Sequence, residues 1–276
     1  MKAKLFILLL MVCLAPLMLQ AQDTLKAPIL TYSHSISVSS PTTISLDRNG
    51  LLYILDGRLN LLRLAPNGQP VDTYSPPARG RITSIHAWDP MKIVLFYEGS
   101  QELVLLDRFL RPISTSNLLD LQYEGMAKVA APAADQGYWL FDETSLTLGK
   151  LNPSIRQLTV ETPLNLLLNR EQFDVRQLRE YQNLVYLLDY NSGILIFDNL
   201  GNYKKKLPYN GLSHIGFRNN ELYFLMDGKL YFLDLYTQKE RVLDLPIDKK
   251  FVSALVGNGY LYLFSKNVVE VYQMLE

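Results

Sequence analysis

Four aspartates, Asp56, Asp142, Asp189 and Asp227, each follow a short run of large apolar residues. Carboxylates delivered at such an interval suggest a ring of oxygen ligands for a divalent cation. Two histidines, His86 and His214, add candidate proton carriers or metal ligands. The context of the aspartates favours a humbler role. Each closes the same phrase, and a carboxylate repeated at equivalent strand ends is a turn former whose side chain bonds the nearby backbone. Two histidines without further ligands make no metal site, and a lone histidine on a strand is more often a hydrogen-bonded structural residue.

The phrase itself recurs six times, as Tyr53-Ile54-Leu55-Asp56, Val94-Leu95-Phe96-Tyr97, Trp139-Leu140-Phe141-Asp142, Tyr186-Leu187-Leu188-Asp189, Phe224-Leu225-Met226-Asp227 and Tyr262-Leu263-Phe264-Ser265. Successive copies begin 38 to 47 residues apart. After a turn comes a second apolar run, such as Ile194-Leu195-Ile196-Phe197-Asp198 or Leu230-Tyr231-Phe232-Leu233-Asp234. Short runs rich in Leu, Ile, Val, Tyr and Phe, bounded by Gly, Asn, Asp and Pro, are strands, and each pair is a hairpin. A weaker strand precedes each hairpin and a polar one, such as Tyr203 to Leu207, follows most of them. Four strands at this period make one propeller blade. The expectation is an all-β, six-bladed β-propeller of four-stranded antiparallel blades.

A blade is apolar on both faces and needs a neighbour on each side, which a closed ring supplies. The sixth unit is one strand short at its end, and Ile29-Leu30-Thr31-Tyr32, continuing to Val38, is the spare strand. The ring is therefore expected to be closed by the N-terminal strand, a hydrogen-bonded clasp.

Residues 1–21 are a separate object. Lys2 and Lys4 precede an apolar stretch from Leu5 to Leu19, and Ala21 stands before a polar sequence, the order of a secretory signal. Residues 22–276 then form the propeller, with export to the periplasm or beyond. The only cysteine, Cys13, lies in that signal, so the exported chain relies on its core and on ring closure rather than on disulfides. Basic and acidic residues number 27 each, which implies neither nucleic acid nor an anionic membrane surface as a partner.

The stretch Pro41-Thr42-Thr43-Ile44-Ser45-Leu46-Asp47-Arg48-Asn49-Gly50-Leu51-Leu52-Tyr53-Ile54-Leu55-Asp56, followed by Leu61-Leu62-Arg63-Leu64 and Asn67-Gly68, resembles the NHL-type repeat of six-bladed propellers. The resemblance is to an exported bacterial, NHL-like ring. It implies that the first strand of each blade lines a central channel, with inter-blade linkers around its mouth. Unshared polar residues there are the candidate ligand contacts: Arg79, Arg81, His86, Tyr123, Glu124, Lys128, Arg170, Arg176 and His214. Lactonase-like members of the six-bladed group hold calcium in the channel. The inner strands here carry Ser45, His86, Lys128, Arg176 and His214, a set more basic than a calcium cage wants.

No Gly-x-Ser-x-Gly elbow, His-Glu-x-x-His pair or phosphate-cradling glycine loop is present. The reading is a noncatalytic scaffold, without metal or cofactor, that binds a protein, peptide or glycan through one face of the ring. The alternative is a channel-based hydrolase or lyase.

Overall fold

The computed structural model describes residues 29–38, 43–77, 80–246 and 249–275. The signal-like segment, Cys13 and Arg79 lie outside the described residues. Among the described residues, twenty-four strands form six four-stranded antiparallel sheets. The first strand, β1 (Ile29–Ser37), belongs to the last sheet. Blade one holds β2 (Ile44–Leu46), β3 (Leu52–Leu55), β4 (Leu61–Leu64) and β5 (Pro70–Tyr74). Blade two holds β6 (Ser84–His86), β7 (Ile93–Tyr97), β8 (Glu102–Leu106) and β9 (Pro112–Asn117). In blade three are β10 (Ala127–Pro132), β11 (Tyr138–Asp142), β12 (Thr147–Asn152) and β13 (Gln157–Pro163). Blade four comprises β14 (Val175–Tyr181), β15 (Leu184–Asp189), β16 (Gly193–Asp198) and β17 (Tyr203–Leu207). Blade five comprises β18 (Ile215–Arg218), β19 (Glu221–Met226), β20 (Lys229–Asp234) and β21 (Glu240–Asp244). Blade six is built from β22 (Ser253–Gly257), β23 (Tyr260–Phe264), β24 (Val268–Leu275) and, as its outer strand, β1.

The repeated phrase is the second strand of every blade, and it is the most buried. Tyr53, Tyr97, Trp139, Tyr186 and Tyr262 have no exposed surface. Each such side chain fills the seam to a neighbouring blade. Burial at about 25 cal/mol per Å² makes these seams the chief source of cohesion. Polar groups then fix the register between blades. Ser45 Oγ accepts the Ala87 amide at 3.2 Å, and His86 Nε2 donates to the Ala130 carbonyl at 2.7 Å. The indole of Trp139 donates to Glu180 at 2.6 Å. Gln177 bridges to both backbone groups of Ile215 at 2.9 Å. Val256 N–H donates to the Tyr223 hydroxyl at 3.0 Å, and Tyr262 donates to the Gly50 carbonyl at 3.2 Å. Each of the six seams carries at least one such bond.

Closure follows the expected route. β1 pairs antiparallel with β24 from Ile29 opposite Leu275 to Ser37 opposite Val268, with a bulge between Tyr32 and His34. Tyr32 meets Tyr272 edge to face at 5.6 Å. Leu30 packs into the core between blades five and six, while Ile36 and Val38 reach the core between six and one.

Asp56 and Asp142 act as the expected turn formers, whereas the Asp189 carboxylate holds the linker ahead of β14 and Asp227 enters its turn through the backbone. Asp56 accepts the Arg58 and Asn60 amides, and Asp142 accepts those of Thr144 and Ser145, all at 2.8 Å. Asp189 accepts the Asp174 amide at 2.5 Å, and Asp227 itself adopts a left-handed turn conformation at φ 51°. Among the described residues no three His, Cys, Asp or Glu side chains come together as a metal site.

One glycine shows how tightly the hairpins are drawn. Gly193 opens β16 at φ 108°, and a Cβ there would collide with the Leu207 carbonyl oxygen. Gly193→Ala combines backbone strain with a clash against main chain that cannot step aside. It should destabilise the protein by about 3 kcal/mol in urea unfolding.

Candidate functional site

The inner strands β2, β6, β14, β18 and β22 surround a channel cavity of about 90 Å³. Side chains on the inner strands alternate between the two flanking seams, and the space is left between the strands at the axis. Where the inner strands leave the channel, it opens into two larger concavities of about 620 and 530 Å³, which meet at Trp88, Tyr181 and Gln182. The larger one has an apolar floor of Val94, Leu105, Ala131 and Pro132, with Tyr138 and Trp88 beside it and the amides of Gln136, Gln182 and Asn183 at its rim. Trp88 is 47 % exposed. Tyr181 is held in place by stacking on Phe217 at 4.6 Å and by donating to the Asn219 carbonyl at 2.6 Å. An aromatic surface edged by amides suits a ligand with flat apolar faces and many hydrogen-bonding groups.

Of the sequence candidates, three line the channel: His86, Arg176 and His214. His86 is the last residue of β6, and His214 stands one position ahead of β18 rather than within it. The other candidates face different surroundings. Tyr123 is buried and donates to Asp142 at 2.9 Å, holding a linker to a hairpin. Lys128 pairs with Glu98 at 2.7 Å and with Glu143 at 3.8 Å. Arg170 donates to the Thr144 carbonyl at 3.1 Å, Glu124 is exposed in its linker, and Arg81 is exposed in the linker leading to β6. Arg176 is tied to Asp174 at 2.7 Å and lies over the Tyr190 ring at 3.6 Å. These linkers sit at the entry side of the inner strands, whereas the two large concavities lie at the exit side.

The residue the sequence reading missed is Arg179, in the interior of β14. It lines both the channel and the larger concavity. Burial pushes its guanidinium below the ordinary value, and Tyr223 and Tyr181 lie within electrostatic reach. The same burial holds both histidines neutral. His86 is pushed down to about 4, first by desolvation and then by the charge of Arg179, against the opposing bond to Ala130. His214 is pushed down to about 3 by desolvation and again by Arg179.

No family model matches the sequence, and no curated protein matches it. Solved structures do. A streptogramin B lyase superposes with a TM-score of 0.56 at 16% identity, covering 91% of this chain and 88% of its own. A catalytically inactive histidine-to-alanine variant of virginiamycin B lyase from Staphylococcus aureus, with quinupristin, gives 0.55 at 11% identity over 89% and 88%. The extracellular domain of a hybrid two-component system from B. thetaiotaomicron gives 0.56 at 12% identity, over 90% of this chain and 42% of that one. The fold is a six-bladed β-propeller. At these identities the likeness goes no further than that.

Proposed function

We propose that this protein is an exported, noncatalytic, NHL-like propeller that holds a peptide, protein or glycan on the exit face of its ring. The observation that carries the reading is the concavity of about 620 Å³ that spans blades two, three and four, with Trp88 and Tyr138 over an apolar floor and three amides at the rim. The export reading rests on the order of charge, apolar stretch and small residue in the first 21 positions. The NHL-like reading is supported by the Asp47 turn, whose carboxylate accepts the Asn49 amide at 2.8 Å and the Leu51 amide at 2.9 Å around Gly50 at φ 85°.

A lyase or hydrolase reading gains some weight from the lyases among the structural neighbours. The channel chemistry favours binding instead. A general base works best with a pKa near the operating pH, and His86 and His214 are held far below it beside a fixed positive charge.

The two tryptophans make the test direct, because Trp139 is fully buried and Trp88 is not. Peptide and glycan collections screened by tryptophan fluorescence should yield a ligand that perturbs Trp88. Trp88→Ala should then weaken binding by about 30-fold, the scale of an aromatic hot spot. Turnover of lactone or ester substrates that is lost on chelation, together with stoichiometric calcium, would overturn the reading.

A further inference from the structure

We propose that the channel contains a carboxylate-binding site built on Arg179, His214 and Tyr223, so that the ligand of the exit face enters with an acid group leading. The inference deepens the binding function proposed above and rests on it for the body of the ligand, though not for the acid group itself.

The first observation is a charge without a partner. Among the described residues, the Arg179 side chain makes no hydrogen bond or ion pair, although its neighbours at the channel rim do: Arg176 has Asp174, and Lys128 has Glu98. The nearest acid in sequence, Glu180, points to the other seam, where it receives the Trp139 indole and the Ala134 amide. Arg179 is half-buried against the channel wall, and a partly desolvated guanidinium that no protein acid pairs is open to an anion from outside.

The second observation is a set of polar atoms with unused hydrogen-bonding capacity around the same space, and a neutral imidazole can carry its proton on the inward nitrogen. His214 Nδ1 is buried with no hydrogen-bond partner. The Tyr223 hydroxyl accepts the Val256 amide and so keeps its own proton to donate. Both residues line the cavity of about 90 Å³ together with Arg179. Planar guanidinium and carboxylate groups match as a two-bonded fork.

The charge count selects the acid. Both imidazoles are neutral and the Arg176 charge is met by Asp174, leaving the charge of Arg179 to balance a monoanion; a phosphate dianion would need a second unpaired cation. Position selects the orientation. Arg179 and His86 border both the narrow channel and the wide concavity beside Trp88, so an acid on Arg179 leaves the rest of a molecule against the aromatic wall.

Acetate is the probe, with acetamide as its uncharged twin, followed through the guanidinium resonances of arginine-labelled protein. Acetate should give a saturable shift of one arginine with a millimolar Kd, acetamide should give none, and Arg179→Met should abolish the response. Arg179→Met should also leave the melting temperature of the ligand-free protein unchanged or raised, because it removes a half-buried charge that no protein group pairs; a structural cation would behave in the opposite way. Should that variant fail to fold, Arg179→Lys should bind acetate at least about 10-fold more weakly, because a point charge lacks the fork. Acetate binding that survives in the variants, is matched by acetamide, or is missing from the parent protein would overturn the proposal. Trp88→Ala should bind acetate as the parent does. Failure of the exit-face reading therefore shows in the larger ligands alone, and failure of the acid site shows in acetate.

Discussion

Removal of residues 29–38 is expected to lower the melting temperature by roughly 8–16 °C, the equivalent of about 4 kcal/mol in a domain of this size. The strand is not an ornament on a finished ring. It completes the sheet that β22 to β24 leave one strand short, and it covers β24 along its whole length. Its absence uncovers the Tyr272 ring, withdraws Leu30 from one core and Ile36 and Val38 from the next, and leaves β24 with a free row of amides and carbonyls. Such an edge pairs with other chains, so the truncated protein should also aggregate on heating where the parent refolds. Calorimetry with light scattering reads both effects. A truncated ring that melts within a degree or two of the parent would mean that blades one and six hold together without the clasp, through their shared apolar core and the bonds of Tyr262 to Gly50 and Asn258 to Asn49.

The clasp was legible in the sequence because strands can be counted: five units carry four, the sixth carries three, and one spare strand precedes them all. The repeated phrase was legible for a related reason. A second strand sandwiched between two blades has no solvent face, so it is apolar throughout and stands out from the alternating pattern around it. The site was legible only in part. His86 and His214 belong to opposite blades, and a ring of six brings their positions to one axis. Arg179 was missed because the backbone of β14 bulges between Val175 and Gln177. That shift moves the alternation by one position, so the inner-strand candidate Arg176 pairs with Asp174 at the rim, while Gln177 and Tyr181 bond to blade five and Arg179, between them on the same face, lines the channel. Which face would carry the large concavities was equally hidden. It depends on how far the turns after the inner strands splay apart, and residues such as Ala133, Gln182 and Asn219 carry no repeating signal of that.

Acidification should expose the buried histidines as a loss of stability that begins well above the range where carboxylates titrate. His86 and His214 bind a proton at about 4 and about 3 in the folded protein, whereas an unfolded histidine does so near 6.5. Between those values the unfolded chain holds more protons than the folded one, so stability is complete above about pH 7 and falls as the pH drops. By about pH 5 each histidine should have cost roughly 2 kcal/mol, and about 4 kcal/mol together. A second loss follows below about pH 4, with the same sign and a different origin. Asp107 and Asp198 are held below the usual carboxylate value chiefly by the backbone amides of Arg111 and Asn202, and protonation removes the acceptor from each turn. Urea midpoints measured from about pH 7.5 down to pH 5 isolate the histidine part, since these aspartates remain ionised throughout that interval. His86→Gln should remove about half of the slope, because glutamine keeps a donor for the Ala130 carbonyl without a titrating group. His214→Gln should remove a comparable share. A doubly substituted protein with the slope of the parent would show that both rings already meet water in the channel and that Arg179 shares its cavity with solvent rather than with a desolvated pair of imidazoles.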